Sequence, residues 1–212
     1  MRKTIRKGLV ASAVVAAGIG LTAAPASAAE AGWTVGGAAA DGYAYGISTD
    51  TQLKVERSGA VLTCATSEAD ATINNTTGHP GPAIGTIDQT YWDTCSGPFG
   101  LVFDVTHSGK WNINAIAPTA DPAVNTGSVT NIAASISGPG CTASFSGGVP
   151  GYYKNDPTGT LSLDPTAPNP GNVQLTASNV TGCFGTIQNG DVAKFTGNFA
   201  IDPDTIDLTY VP

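Results

Sequence analysis

The chain has 212 residues, with 16 acidic against nine basic side chains and a formal net charge of −7. Such a surface repels phosphate backbones, which argues against nucleic acid as a partner. Thirteen of the acids are Asp and only three are Glu; Asp suits turns and Glu suits helices, so the ratio points away from a helical fold.

At the N-terminus, Arg2, Lys3, Arg6 and Lys7 precede an alanine-rich apolar run from Leu9 to Ala24, and Ala26-Ser27-Ala28 is a small-x-small cleavage site. This is the pattern of a secretory signal peptide, residues 1–28, cleaved after Ala28. The run is short for a spanning helix and ends in a cleavage site, so no membrane span is expected. No Cys follows the site, and Leu208-Thr209-Tyr210-Val211-Pro212 carries neither an apolar tail nor a basic run, so a released extracellular product is expected. Without the leader, Lys54, Arg57, Lys110, Lys154 and Lys194 stand against all 16 acids, a net charge of −11. The remaining 184 residues suit a single domain with its own core.

Residues 29–41, with Gly36-Gly37 and three alanines, read as a flexible leader onto which Trp33 docks at most. The β-domain is expected over 42–212. Gly42 to Ile47 reads as a first strand. Leu53 and Val55 then alternate with Lys54 and Glu56, Ser58-Gly59 turns the chain, and Ala60 to Thr66 returns as a hairpin partner. Ala69 to Asn74 reads as another strand, residues 75–82 as a long turn rich in breakers, and Ile84 to Tyr91 as a strand leading to Cys95. Leu101, Phe103 and Val105 share one face, and Thr106-His107-Ser108-Gly109 is read as a hairpin turn into Trp111, Ile113 and Ala115. The loop 118–126 separates the halves 42–117 and 127–212. In the second half Ile132, Ala134 and Ile136, then Ala143 and Phe145, then Leu175 and Ala177, then Phe195, Phe199 and Ile201, and finally Ile206, Leu208 and Tyr210 repeat the period of two. Short strands at 151–154 and 160–164 are bounded by Asp156-Pro157 and Pro165 to Gly171. No stretch has a helical period. The expected fold is all-β, an antiparallel β-sandwich, with a closed β-barrel as the alternative.

The four cysteines read as a disulfide framework in an exported chain. They allow three pairings. The halves echo one another: Val61-Leu62-Thr63-Cys64 and Gly140-Cys141-Thr142-Ala143 open a strand, and Thr94-Cys95-Ser96-Gly97 and Gly182-Cys183-Phe184-Gly185 close one. The echo favours Cys64–Cys95 and Cys141–Cys183, so that each half is closed by its own bridge. Loop entropy gives roughly 3.5–4 kcal/mol for each. A metal site is disfavoured, because there is no C-x-x-C and neither His lies near a Cys in sequence.

Catalytic motifs are missing. His79 and His107 fall in predicted turns, with no nucleophile elbow and no His-x-x-x-His. Glu56, Glu68, Asp70, Asp88, Asp93 and Asp104 are the acids from which a glycosidase pair would be drawn. The run from Asp202 to Asp207 has carboxylates for calcium but lacks the loop glycine and closing Glu, so a solvated turn is the expectation. In Tyr91-Trp92 and Tyr152-Tyr153 neighbours point to opposite faces, which leaves one member of each for the core and one for a surface contact with sugars or apolar ligands. Asn74-Asn75-Thr76-Thr77 and Asn179-Val180-Thr181 match the N-glycosylation pattern, which carries no meaning in a bacterial protein, the source that the Ala-rich leader suggests.

The leader, Val61-Leu62-Thr63-Cys64, Cys95-Ser96-Gly97-Pro98-Phe99-Gly100-Leu101, Gly138-Pro139-Gly140-Cys141-Thr142-Ala143, Gly182-Cys183, Asn189-Gly190-Asp191 and Phe195-Thr196-Gly197 together resemble a group of small exported four-cysteine β-proteins of actinobacteria. The four-cysteine order is also similar to exported proteins labelled activators of alkane oxidation. The resemblance spans nearly the whole chain after the leader. It implies a secreted β-protein and carries over no catalytic residue. The function expected is non-enzymatic, binding or structural, outside the cell or at its surface. No cofactor is expected, and the partner would be an apolar molecule, a wall glycan or another protein. An extracellular hydrolase with an acidic pair is one alternative. A secreted protease inhibitor presenting the Ser96–Gly100 or Ser137–Gly140 turn is the other.

Overall fold

The computed structural model describes residues 31–155, 157 and 159–212. The leader 1–28 and Asp156 lie outside the described residues. The chain is all-β and antiparallel. Its strands are β1 (Gly32–Gly36), β2 (Tyr43–Ser48), β3 (Thr51–Val55), β4 (Val61–Ile73), β5 (Thr76–His79), β6 (Gly85–Ser96), β7 (Val102–His107), β8 (Trp111–Pro118), β9 (Val124–Gly138), β10 (Cys141–Lys154), β11 (Thr160–Leu163), β12 (Leu175–Gly182), β13 (Val192–Asp202) and β14 (Asp207–Val211). Two tight turns, Pro98–Gly100 and Cys183–Gly185, have single-turn helical hydrogen bonding.

The main ladder returns on itself. Three of its positions hold two collinear strands: β2 then β3 along β4, β7 then β8 along β9, and β11 then β12 along β10. The order is β4, β6, β7/β8, β9, β10, β11/β12, β13, β2/β3 and back to β4. Neighbours around this ring follow one another in sequence, except that β5, between β4 and β6, belongs to the other sheet, and that β13 meets β2/β3. Trp92 of β6 meets Phe195 of β13 edge-on at 5.6 Å. These strands are not ladder neighbours, so side chains from opposite sides of the ring meet across the core. Alternating residues fill that core: Leu62, Ile87, Phe103, Trp111, Val129, Ile132, Ile136, Phe145, Leu175 and Phe199 are all buried.

One end of the ring carries four hairpin turns, β3–β4, β6–β7, β9–β10 and β12–β13, and both disulfides. Cys64–Cys95 joins β4 to β6, and Cys141–Cys183 joins β10 to the end of β12, the expected pairing. Each bridge ties adjacent hairpins of one half. The joint between the halves is tight here: a Cβ on Gly97 or Gly138 would lie 2.7 or 2.6 Å from the Phe103 ring. The other end is covered by a three-stranded sheet, β14-β1-β5. Trp33, Val35 and Ile206 pack there with Ala44, Ala71, Ile84 and Ala115 in a second core cluster. Asn125 and Asn155 donate side-chain N–H bonds to the Leu208 carbonyl, and the Tyr153 hydroxyl donates to that of Ile206, fixing this sheet to the ring.

Several expectations are corrected. The described part of the leader 29–41 contains a strand: β1 is the middle strand of the small sheet, and Trp33 and Val35 are buried. Burying an indole and a valine outweighs the entropy of ordering the flanking glycines. The turn 75–82 contains β5, which pairs with β1. The two strands expected over 60–66 and 69–74 are one strand, β4 (Val61–Ile73). Its inward set changes from Leu62 and Cys64 to Ser67, Ala69 and Ala71, and opposite this shift Thr94 takes a positive φ of 49°. The expected hairpin of Phe103/Val105 with Trp111/Ile113 does not form. Ser108 N–H bonds the Ala133 carbonyl, so the chain jogs and β8 continues along β9 in the direction of β7. The loop between the halves is shorter than 118–126, because β8 reaches Pro118 and β9 begins at Val124. Residues 151–154 are the end of the long β10.

Candidate binding surfaces

Large apolar side chains left in water are the informative exceptions on this surface. Among the described residues those exposed are Tyr43, Ile47 and Tyr91 in one group, Phe99, Val102 and Phe184 in another, and Tyr210, whose ring meets Trp33 edge-on.

The first group lies on the outer face of β2, β4 and β6. The β2 sequence Tyr43-Ala44-Tyr45-Gly46-Ile47-Ser48 puts its small residues inward and its large ones outward. Space inside is tight at Gly46, where an added Cβ would stand 3.1 Å from the Ile201 side chain. Register sets Ile47 opposite Glu68 and Glu68 opposite Tyr91, while Tyr45 faces Asp70 and Asp70 faces Gln89. With strands about 4.8 Å apart and like-facing residues about 6.8 Å apart, the face measures about 10 by 14 Å. The Tyr43 hydroxyl donates to Asp70 Oδ1 at 2.7 Å, and this bond, aided by burial, pushes the Tyr43 pKa up to about 12. Burial and a hydrogen bond to Glu68 raise Tyr45 as well. The result is a set of rings held neutral and oriented by two carboxylates, beside open acceptor oxygens.

The acids named as hydrolase candidates do not converge. Glu56 pairs with Lys194. Asp88 pairs with Lys110 at 2.8 Å and accepts bonds from Thr72 and Thr86; burial pushes its carboxyl up, but these partners hold it below the ordinary range. Asp93 and Asp104 are exposed on separate strands. Glu68 and Asp70 do lie together, but they project side by side from one strand onto an open face, whereas a glycosidase pair flanks the scissile bond from two sides. His79 is half-buried and its Nδ1 accepts from Gly81 N–H. His107 is stacked on Trp111 at 4.4 Å and bonds Thr90 and the Gly109 carbonyl. Both were expected in exposed turns; each is tied into packing. Asp202, Asp204 and Asp207 are exposed, and among the described residues no three His, Cys, Asp or Glu side chains gather as a metal site.

Tyr91 and Trp92 divide as expected, Tyr91 outward and Trp92 against the core. Tyr152 and Tyr153 are both half-buried, and neither is a free surface ring. Sequence reasoning missed Tyr43 and Tyr45. The signal was there in β2: large residues alternate with Ala, Gly and Ser, and only the large set is assigned to a core by default.

Inside the ring lies an apolar cavity of about 150 Å³, lined among others by Leu53, Leu62, Trp111, Val129, Phe145 and Leu175. Sites for drug-sized ligands usually measure about 300–1,000 Å³, so this space is too small for one, though an apolar cavity of its size can take a small apolar molecule. Phe99, in the Ser96–Gly100 turn, has φ 62° and ψ 17°, which is a left-handed turn and not an extended segment.

No family model, no curated protein and no solved structure matches the chain. Among the described residues no helix is long and apolar enough to cross a membrane.

Proposed function

We propose that the chain is an exported, non-enzymatic binding domain that holds a neutral wall glycan on the outer face of β2, β4 and β6. Export rests on the basic, apolar and small-x-small pattern of residues 1–28 together with two disulfides, which persist outside the reducing cytosol. The resemblance to small exported actinobacterial proteins agrees with it. One observation carries the ligand reading: Tyr43, Tyr45 and Tyr91 share a wet sheet face with Glu68 and Asp70 in register. Aromatic rings present flat apolar faces to the C–H faces of sugars, and carboxylates accept bonds from sugar hydroxyls. The acidic charge of the chain selects against phosphorylated polymers.

The test is a sedimentation assay with cell-wall glycan stripped of anionic polymers. Wild type is expected to co-sediment, and Tyr91→Ala and Tyr43→Ala are each expected to weaken binding by about tenfold. Unaltered binding in the double variant Tyr43→Ala/Tyr91→Ala would overturn the reading, as would turnover of the glycan by wild type.

A further inference from the structure

The end of the ring that carries the disulfides differs in chemistry from the rest of the surface. In a chain of net charge −7, the turns at 97–101, 139–140 and 183–190 contain no charged side chain. The charges of the fourth turn are paired, Arg57 with Asp191 and Glu56 with Lys194. Phe99 is 88% exposed and Phe184 73%, with Val102 at 61%. The two turns that carry them flank the β9–β10 turn: β7, which follows the Phe99 turn, pairs with β9, and Gly140 abuts the Phe184 ring.

Each Phe precedes a Gly, and both members of each pair have positive φ: 62° and 71° at Phe99-Gly100, 50° and 75° at Phe184-Gly185. Two successive positive φ values favour Asn, Asp or Gly at the first position. A bulky L side chain is disfavoured there. Fold stability therefore accounts for neither Phe, since neither is buried and the backbone resists both. Such a repeated outlier points to function. Both turns are also held firmly. Cys183 is bridged, Arg57 donates to the Gly185 carbonyl and Ser58 to that of Thr186, and Gly97 N–H closes onto the Leu101 carbonyl.

We propose that this end docks on an uncharged or zwitterionic lipid surface, with Phe99 and Phe184 inserted as paired wedges. Area decides against a second copy of the chain. A Phe offers about 150–250 Å², so two of them with Val102 fall short of the about 800 Å² per partner of a stable protein interface. Reversible partition into lipid needs only the transfer of a few apolar side chains. The surrounding acidity disfavours anionic lipid.

The experiment is flotation of the protein, as the cell exports it, with phosphatidylcholine vesicles. Wild type is expected to float with them. Phe99→Ala and Phe184→Ala are each expected to weaken partition about tenfold, and replacing a third of the lipid with phosphatidylglycerol is expected to weaken it further at low salt. In Phe99→Trp, indole emission is expected to shift blue on vesicles and to be quenched by bromine-labelled acyl chains. Phe99→Asn is expected to lose binding while melting no lower than wild type. Three outcomes would overturn the proposal: no flotation of wild type at millimolar lipid, flotation indifferent to Phe99→Ala/Phe184→Ala, or a concentration-dependent dimer abolished by that variant. The glycan face is untouched by these substitutions, so the two readings stand or fall separately.

Discussion

Arg57 grips Asp191 with two nitrogens, Nε at 2.7 Å from Oδ1 and Nη2 at 2.9 Å from Oδ2. The Asp191 side chain is only 6% exposed. Arg57 holds its carboxyl below the ordinary range, against the upward push of burial, and the Gln188 N–H adds to the effect at 2.7 Å. A carboxylate whose folded pKa is depressed stabilises the fold above the ordinary carboxylate pKa. It loses that contribution as pH falls through the folded pKa. Asp191→Asn should therefore melt several degrees below wild type at neutral pH, with the gap closing in acid. Thermal melts from neutral to strongly acidic pH check this; parallel curves would contradict it. No reading of the sequence could single out this acid from the others, because its partner lies 134 positions away.

At the scale of elements, period-two alternation was a sound guide to which side chains face the core. Phe103 with Val105, Ile132 with Ile136 and Phe195 with Phe199 all point inward as read. Alternation was a poor guide to where strands end. The β4 phase shift at Ala65-Thr66 looks like a strand boundary in one dimension, and in space it is a bend that the partner strand β6 matches at Thr94. Ser108-Gly109 looks like a hairpin turn because Gly and Ser are common there. What decides is a long-range bond, from Ser108 N–H to Ala133 on β9. The first strand was invisible for the same reason: Trp33-Thr34-Val35 is a short strand-forming run between glycines, and its partners β14 and β5 are what order it. Trp33→Ala should cost about 3–5 kcal/mol, measured by urea unfolding. A cost under about 1 kcal/mol would return residues 29–41 to the role of a loose leader.

At the scale of the whole molecule, the echo of Cys64…Cys95 in Cys141…Cys183 was a sound guide to the disulfide pairing. Each half supplies half of the ring and one bridge at the same end. How the halves join was hidden, because the seam of β13 with β2/β3 pairs residues such as Lys54 and Lys194, far apart in the chain and alike in charge. The candidate surfaces were hidden too. Tyr43 and Tyr91, or Phe99 and Phe184, come together only once the ring is closed. The small sheet has one more implication. β1 and β14 run side by side with Gly32 opposite Val211, so the first and last described strands finish at the same place. A short linker can join those ends, and the chain can be reopened between the exposed residues Ala120 and Asp121, which exchanges the order of the halves while every strand keeps its neighbours. Such a circular permutant is expected to fold with both disulfides in their native pairing, read by non-reducing peptide mapping. On that outcome the order in which the halves are synthesised would be interchangeable.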